Sequence, residues 1–280
     1  MKVSIQGVKG SFHQEASNQY FGKETAILQQ LNFDDLVASV VRKEADYGVM
    51  AIENTISGTI HNNLNLIRNS RLTITGEVFL RIQQNLAALP GTSIKDLLQV
   101  HSHYMAINQC RAYFKNHQHI KLVDSTDTAL SMKMVAKNKT KHIGAIGSLL
   151  AAKYYGLEVL AKSIETNKKN YTRFLVVERA NQEKNDEFDK ASLVVLLPHE
   201  KGSLAKVLSI IDFYNINLSK IESMPIIGEP WHYLFYIDVL FNDTQTYHQM
   251  LQAITPLVDK LQILGEYNFG RQSFRHINEL

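Results

Sequence analysis

The stretch ERANQEKNDEFDK, Glu178 to Lys190, divides the sequence into two halves of different pattern. Only Ala180 and Phe188 among its residues are apolar, which is linker composition. Before it, short apolar runs such as VSIQG, YGVMAIE, LLQVHS, HIGAIGS and RFLVV alternate with helical patterns such as LVASVVRKEA and MAINQCRAYFKN. That alternation predicts an α/β arrangement in which helices cover a sheet. After it, ASLVVLLP reads as a strand and GSLAKVLSIIDFYN as a helix. INLSKIESMPII and WHYLFYIDVL follow as a strand pair turned at Gly228 to Pro230, then TYHQMLQAITPLVDK as a helix and LQILGEY as a strand. This βαββαβ order is the ferredoxin-like split unit. The expected boundaries are a first domain at 1–178, a linker at 179–190, a second domain at 191–270 and a tail at 271–280.

The chain of 280 residues is long enough for two domains with sizeable cores. Its 45% hydrophobic and 20% charged content excludes wholesale disorder and collagen-like classes. Net charge is +3, with Lys and Arg interleaved among Asp and Glu, so neither nucleic acid nor a membrane surface is an expected partner. The single cysteine, Cys110, makes no internal disulfide, and MKVSIQG lacks the pattern of a secretory signal, so a cytoplasmic location is expected. There is no run of 18 apolar residues, no CxxC and no HExxH; His101 and His103 fit simple alternation at a strand end, and no metal is expected.

Four stretches of the first domain share a layout of apolar strand followed by small polar residues. In VSIQGVKGSFHQEAS, Gly7 and Gly10 permit a tight turn, and Ser11 with Gln14 has the capping-box spacing of a helix start, whose free N–H groups suit a carboxylate. The GxxG lacks the spacing of a dinucleotide site. In YGVMAIENTISGTIHNNL, Glu53 and Asn54 end an apolar strand; pairing with Arg68 or Arg71 would be reason enough for the carboxylate. In LLQVHSHYMAINQCRAYF, Ser102 is placed to cap the next helix, with Gln109 two turns later on the same face. In NYTRFLVV, Thr172 and Phe174 share one strand face while Arg173 and Leu175 share the other. Ligands of open α/β sheets bind outside strand ends where such residues gather. Pattern alone therefore supports a small anionic ligand in a cleft.

These residues also carry a resemblance. GVKGSFHQEAS, AIENTISGTI, SHYMAINQC, AAKYYGLEVLAKSIETNKKNYTRFLVV, GSLAKVL and NLSKIESMP resemble, in order and over nearly the whole chain, a monofunctional prephenate dehydratase with a C-terminal ACT domain. No chorismate mutase helices precede Met1, so the monofunctional form is the one expected. The resemblance implies a two-lobed catalytic domain of type II periplasmic-binding-protein fold with its site between the lobes. It places the family's Thr-Arg-Phe motif on Thr172, Arg173 and Phe174, with the threonine most tied to catalysis. The Glu-Asn-Ser motif falls on Glu53, Asn54 and Thr55, and the Ser-His-Pro-Gln motif with its later glutamine on Ser102, His103 and Gln109, where Tyr104 and Met105 replace Pro and Gln. The implied catalytic set is Thr172, Glu53, Asn54, Gln109 and Ser102, with Ser11, Phe12, Thr55, Arg173 and Phe174 binding substrate. Two roles are open for Arg173, substrate clamp or brace, and two for Glu53, acid or orienter.

The implied reaction is loss of the ring carboxylate of prephenate as CO2 and of its hydroxyl as water, giving phenylpyruvate. The departing hydroxyl is the electron sink and aromatisation the driving force, so no cofactor is expected. The ACT resemblance implies phenylalanine bound at Gly202, Ser203, Leu204, Ala205, Asn217, Leu218, Glu222 and Ser223, in an even-numbered homo-oligomer, homodimer or homotetramer. Met224 stands where the family has arginine. Arogenate dehydratase and an inactive amino-acid-sensing protein are the alternatives.

Overall fold

A computed structural model describes residues 1–180, 187–226, 228, 232–270 and 273. Outside them lie 181–186 of the expected linker, Ile227, Glu229, Pro230 and Trp231 around the expected turn, and all of the expected tail except Ser273. The first lobe comprises β1 (Lys2–Gln6), α1 (Phe12–Phe21), β2 (Ala26–Gln30), α2 (Phe33–Val41), β3 (Tyr47–Asn54), β4 (Gly58–Thr59), α3 (His61–Asn69) and β5 (Leu72–Arg81). The second lobe comprises β6 (Asn85–Ala88), β7 (Gln99–His103), α4 (Tyr104–Phe114), β8 (Lys121–Ser125), α5 (Thr128–Asn138), β9 (Ile143–Gly147), α6 (Leu149–Tyr154) and β10 (Glu158–Ala161). The chain then re-enters the first lobe as β11 (Tyr171–Arg179). The C-terminal domain follows as β12 (Lys190–Leu196), α7 (Ser203–Phe213), β13 (Asn217–Pro225), β14 (Tyr233–Leu240), α8 (Thr244–Ile254) and β15 (Lys260–Tyr267).

Both lobes are α/β layers, as the alternation in the sequence predicts, and the third sheet carries the βαββαβ order read from the sequence. The first sheet runs β2-β1-β3-β11-β5, the second β10-β6-β9-β7-β8 and the third β13-β14-β12-β15. β11 lies antiparallel between β3 and β5. A strand inserted late into the first sheet forces the chain to cross between lobes twice, so the residues just before β11 sit at the crossing.

β11 is apolar on both faces because both are covered. Phe174 and Val176 pack with Val3, Ile5 and Val49 on the side of α1. Leu175 and Val177 pack on the other side with Val194, Tyr236 and Leu264 of the third sheet. Catalytic and C-terminal domains thus share one core. The backbones come close at Gly265 of β15, where a Cβ would lie against the Ile74 carbonyl oxygen, so only glycine fits.

Three sequence expectations shift at their edges. The helix expected over 246–260 ends at Ile254, and Pro256 sits in a 3-10 turn, since its ring cannot continue the α-helical hydrogen bonds. β11 runs through Arg179, whose Nη1 donates to the Val40 and Ala45 carbonyls, and β12 starts at Lys190, so both ends of the expected linker are strand. Ser102 lies inside β7 and does not cap α4; His103 is the N-cap residue, its Nδ1 accepting from the Met105 amide.

The lobes meet across the loop before α1. Ser148 Oγ donates to the Gly10 carbonyl at 2.6 Å, Tyr155 to the Lys9 carbonyl at 2.8 Å, and a Cβ on Gly10 would strike Ala151 Cα at 2.5 Å. Beside this contact burial lifts the Glu15 carboxyl from its ordinary 4.5 to about 7, against hydrogen bonds from Leu150 and Ser148 that lower it. A raised carboxyl contributes stability that is full below 4.5 and lost as pH rises through about 7. Glu15→Gln is therefore more stable to urea relative to the parent at pH 8 than at pH 5, by up to about 3 kcal/mol in unfolding free energy. An equal difference at the two pH values would contradict this account.

Candidate active site

The ends of β3 and β11 lie side by side, with Thr172 opposite Asn54 and Arg173 opposite Glu53. Because side chains alternate, the first pair faces the lobe junction and the second faces the C-terminal domain. On the junction face, Asn54 Oδ1 accepts the Ile56 and Ser57 amides at 2.9 and 3.0 Å. That fixes which end of the Asn54 amide is oxygen. Its Nδ2 must then donate, and it does so to Thr172 Oγ1 at 2.9 Å and to Asn170 Oδ1 at 2.7 Å. Asn170 Nδ2 in turn donates to Gln109 Oε1 on α4 at 2.9 Å, joining the lobes. Thr172, Asn54 and Gln109, read separately from the sequence, are therefore one hydrogen-bonded row.

The direction of this row has a chemical consequence. Thr172 Oγ1 accepts from an amide, so its own proton is turned elsewhere, and among the described residues no acceptor for it is found. Thr172 is 7% exposed and Asn170 fully buried, so the oriented hydroxyl works where water is scarce. Thr55 closes the end of the site: its amide donates to the Tyr171 carbonyl, and its Oγ1 donates to the Lys169 carbonyl and accepts the Tyr171 amide. Ser11 is buried and caps α1, accepting from the Gln14 amide, while Gln14 reaches back to the Gly10 amide. Phe12 is half-buried against the core beneath α1.

Four expected site residues take no part in this row: Arg173, Glu53 and Ser102 point elsewhere, and Phe174 shares the face of Thr172 but is sunk in the core. Arg173 is 4% exposed and turned to the C-terminal domain, where Nε donates to Glu77 at 2.6 Å, Nη1 to Asp238 at 2.5 Å and to Glu53 at 3.3 Å, and Nη2 to the Tyr267 hydroxyl at 3.0 Å. Every guanidinium nitrogen is engaged. Glu53 shares that face by the same alternation and accepts Lys220 Nζ at 2.7 Å. Arg68 and Arg71, the partners suggested by sequence, do not hold it. Phe174 is 1% exposed, its ring edge-on to His13 at 5.1 Å in the core. Ser102 is fully buried and ties β7 to β9 by donating to the Ile146 carbonyl at 2.8 Å.

Two neighbours of the site escaped the sequence reading. Asn170 stands two positions before Thr172, and period-2 alternation carried back by one step would have put them on one face. His13 accepts from the Ala51 amide at 3.4 Å, and burial drives its imidazole down to about 3, so it is a neutral acceptor. No sequence signal marks it. Among the described residues no group of three or more His, Cys, Asp or Glu is arranged to hold a metal, and no helix is long and apolar enough to cross a membrane.

The sequence profile described as prephenate dehydratase matches residues 3–182, both lobes and the returning strand. The chain belongs to the prephenate dehydratase family. The bifunctional chorismate mutase/prephenate dehydratase of Enterobacter agglomerans is 31% identical over 271 residues, covering 95% of this chain and 70% of that one. Arogenate dehydratase 2 of Petunia hybrida is 35% identical over 285 residues, with 95% and 71% covered. Among solved structures, prephenate dehydratase of Arthrobacter aurescens in complex with L-Phe aligns with TM-score 0.87 at 28% identity, covering 97% of this chain and 91% of that one. GqqA, described as a novel type of quorum quenching acylase, aligns with TM-score 0.88 at 26% identity, covering 95% and 97%.

This prephenate dehydratase family member also carries a concavity in its C-terminal domain. A cavity of about 350 Å³ is lined by Leu197, Pro198, Ser203, Leu204 and Phe235, with His199, Lys201 and His232 at hand. Gly202, in the left-handed region at φ 86°, opens α7 with no side-chain cap, and Ala205 follows in its first turn. Ser223 pairs across strands with the cavity residue Phe235, and Asn217 and Leu218 begin β13. Glu222 points instead to the catalytic domain, accepting from Thr59 at 2.9 Å and bonding His61 at 2.6 Å, contacts that hold its carboxyl below the ordinary range. Met224 is buried with Leu234 and Tyr236 in the shared core, which is why an apolar residue suits that position.

Proposed function

We propose that the chain is a prephenate dehydratase whose working group is the Thr172 hydroxyl. In the reaction the bond to the ring carboxylate breaks and its electron pair enters the ring. The carbon–oxygen bond opposite breaks with its pair on oxygen, and the hydroxide so formed takes a proton from solvent to become water. The observation that carries the assignment is the fixed direction of the Asn54 amide, which leaves the Thr172 proton free for the departing oxygen. A threonine is far too weak an acid to give that proton up outright, so it acts as a donor of a hydrogen bond. One such preorganised donor is worth roughly 2.7–4 kcal/mol, about 10²–10³ in rate. Orientation by the Asn170–Gln109 link and exclusion of water supply further acceleration. The capped start of α1 offers amides for a substrate carboxylate.

Arg173 acts here as a brace, since its nitrogens are taken up by Glu77, Asp238, Glu53 and Tyr267. Glu53, held by Lys220 and Arg173, acts as an orienter behind Asn54. The C-terminal domain is an ACT domain that binds phenylalanine near Ser203 and Leu204, supported by the cavity and by the L-Phe complex of the Arthrobacter relative. Inhibition follows if phenylalanine binds the less active state more tightly. The enzyme is cytoplasmic and an even-numbered homo-oligomer. Arogenate dehydratase is the second reading, favoured by the 35% identity to the Petunia enzyme. An acylase reading finds no support at this site, where Thr172 meets the Asn54 amide and, among the described residues, no hydrogen-bonded base that would activate it as a nucleophile.

The test is phenylpyruvate formation from prephenate with and without phenylalanine, beside phenylalanine formation from arogenate. Phenylpyruvate should appear, faster than product from arogenate, and 1 mM phenylalanine, an effector level on the order of weak small-ligand affinities, should slow it. No turnover of prephenate would overturn the assignment.

A further inference from the structure

The polar pair on the site face, Asn54 and Thr172, has a charged pair directly behind it, Glu53 and Arg173, on the same two strand ends. Each member of the rear pair is gripped by a different strand of the C-terminal domain. Glu53 accepts Lys220 of β13 at 2.7 Å, and Arg173 donates to Asp238 of β14 at 2.5 Å. Lys220 also donates to Thr59 of β4, which pairs with Glu53 across the strands, so it ties down the turn that carries Thr55. Asp238 is held from behind by Ser192 Oγ at 2.6 Å, and Ser192 meets the Tyr267 hydroxyl that Arg173 also reaches. A backbone irregularity falls between Arg173 and Phe174, one residue beyond this grip, where the register to β3 changes. The extra residue lies on β3, so Glu53 and Asn54 are set off from the regular ladder by a bulge and depend on these contacts for their position, while Tyr171, Thr172 and Arg173 stay in register with β5.

We propose that Lys220 and Asp238 are positioning residues for the catalytic threonine, acting through Glu53 and Arg173 across the thickness of the sheet. This rests on the reading of Thr172 given above. The C-terminal domain thereby sets the geometry of the site directly, with no loop between the two domains needed to carry the effect.

The test uses the full chain and compares the parent with Lys220→Met, Lys220→Arg and Asp238→Asn. Steady-state turnover of prephenate and amide hydrogen exchange over 53–55 and 170–173 are read on the same samples. Lys220→Met should lower kcat about tenfold with KM within about twofold, the mark of lost alignment and not of lost binding. Exchange at the Thr55 and Tyr171 amides should quicken about tenfold while 193–196 keeps its parent rate, because local opening is selective. Lys220→Arg should bring kcat back to within about threefold, since the charge is kept. Parent values of kcat and of exchange in Lys220→Met would overturn the proposal, as would a uniform rise in exchange throughout both domains. Should Asp238→Asn fail to fold, the two Lys220 variants decide. Should the parent itself not turn over prephenate, the functional reading falls while exchange at the two strand ends still decides the positioning claim.

Discussion

Thr172→Ala lowers kcat for prephenate by about 10²–10³ while the protein keeps its fold. The size follows from what the hydroxyl does. Asn54 Nδ2 occupies one side of Oγ1, so the proton points away from it, and the charge that grows on the leaving oxygen strengthens that hydrogen bond only as the bond to carbon breaks. An interaction made in the transition state and weak in the ground state appears in kcat and little in KM. Stability is expected to change by about 1 kcal/mol, the usual cost of one lost hydrogen bond, because Asn54 Nδ2 retains its bond to Asn170 Oδ1. Thr172→Ser, which keeps the hydroxyl but frees its rotation, should retain at least about a tenth of parental turnover. Kinetics of the two variants beside thermal unfolding check this, and alanine turnover within tenfold of the parent would remove Thr172 from the chemistry.

The sequence disclosed as much as alternation and order can disclose. The two halves on either side of Glu178–Lys190 became an α/β pair of lobes and a βαββαβ domain, because apolar periodicity reports burial and burial fixes the layers. The rear placement of Arg173 was also legible: a residue beside Thr172 on a strand must face the other way. What alternation does not say is what waits on the other side. Glu77 and Asp238 are 96 and 65 residues from Arg173 in the chain, and nothing local announces such partners. Glu53 fell to the same limit, since a carboxylate next to a site asparagine reads like a site residue until the second domain is in place. Asn170 was missed for another reason: its backbone precedes β11, and its role arises only where the chain crosses between lobes. Ser102 shows the reverse error, a good capping residue that the strand claims one position longer because its hydroxyl finds the Ile146 carbonyl across the sheet.

The largest effect on stability is expected at Arg173. Replacing it by methionine keeps most of the volume and removes the only group that reaches Glu77, Asp238, Glu53 and Tyr267 at once among the described residues. Glu77 keeps Lys190 at 2.9 Å and the Gly270 amide, so it is not left bare. Asp238 keeps the Ser192 hydroxyl and the more distant charge of Lys190 but loses its direct ion pair, and a buried charge stripped of its partner costs on the order of 3–5 kcal/mol. That is a large share of the stability of an ordinary domain, so Arg173→Met should unfold at a distinctly lower denaturant midpoint, with the interface between the two domains opening first. The pH dependence separates this cause from a packing defect. Burial pushes the Asp238 carboxyl up, and Arg173 together with Lys190 overcomes it and holds the group below the ordinary value. A depressed carboxyl contributes stability that is fully present above its unfolded value, near 4, and is lost as pH falls through the folded one. In the variant burial acts largely unopposed and raises the Asp238 carboxyl above its ordinary value, so the cost of the stranded charge is full near neutrality and is relieved as pH falls through that raised value toward 4, where the carboxyl takes up a proton. Urea unfolding of parent and variant at pH 7 and pH 4.5 measures it, and a deficit that stays constant between the two would assign the loss to packing around the methionine instead of to the stranded carboxylate.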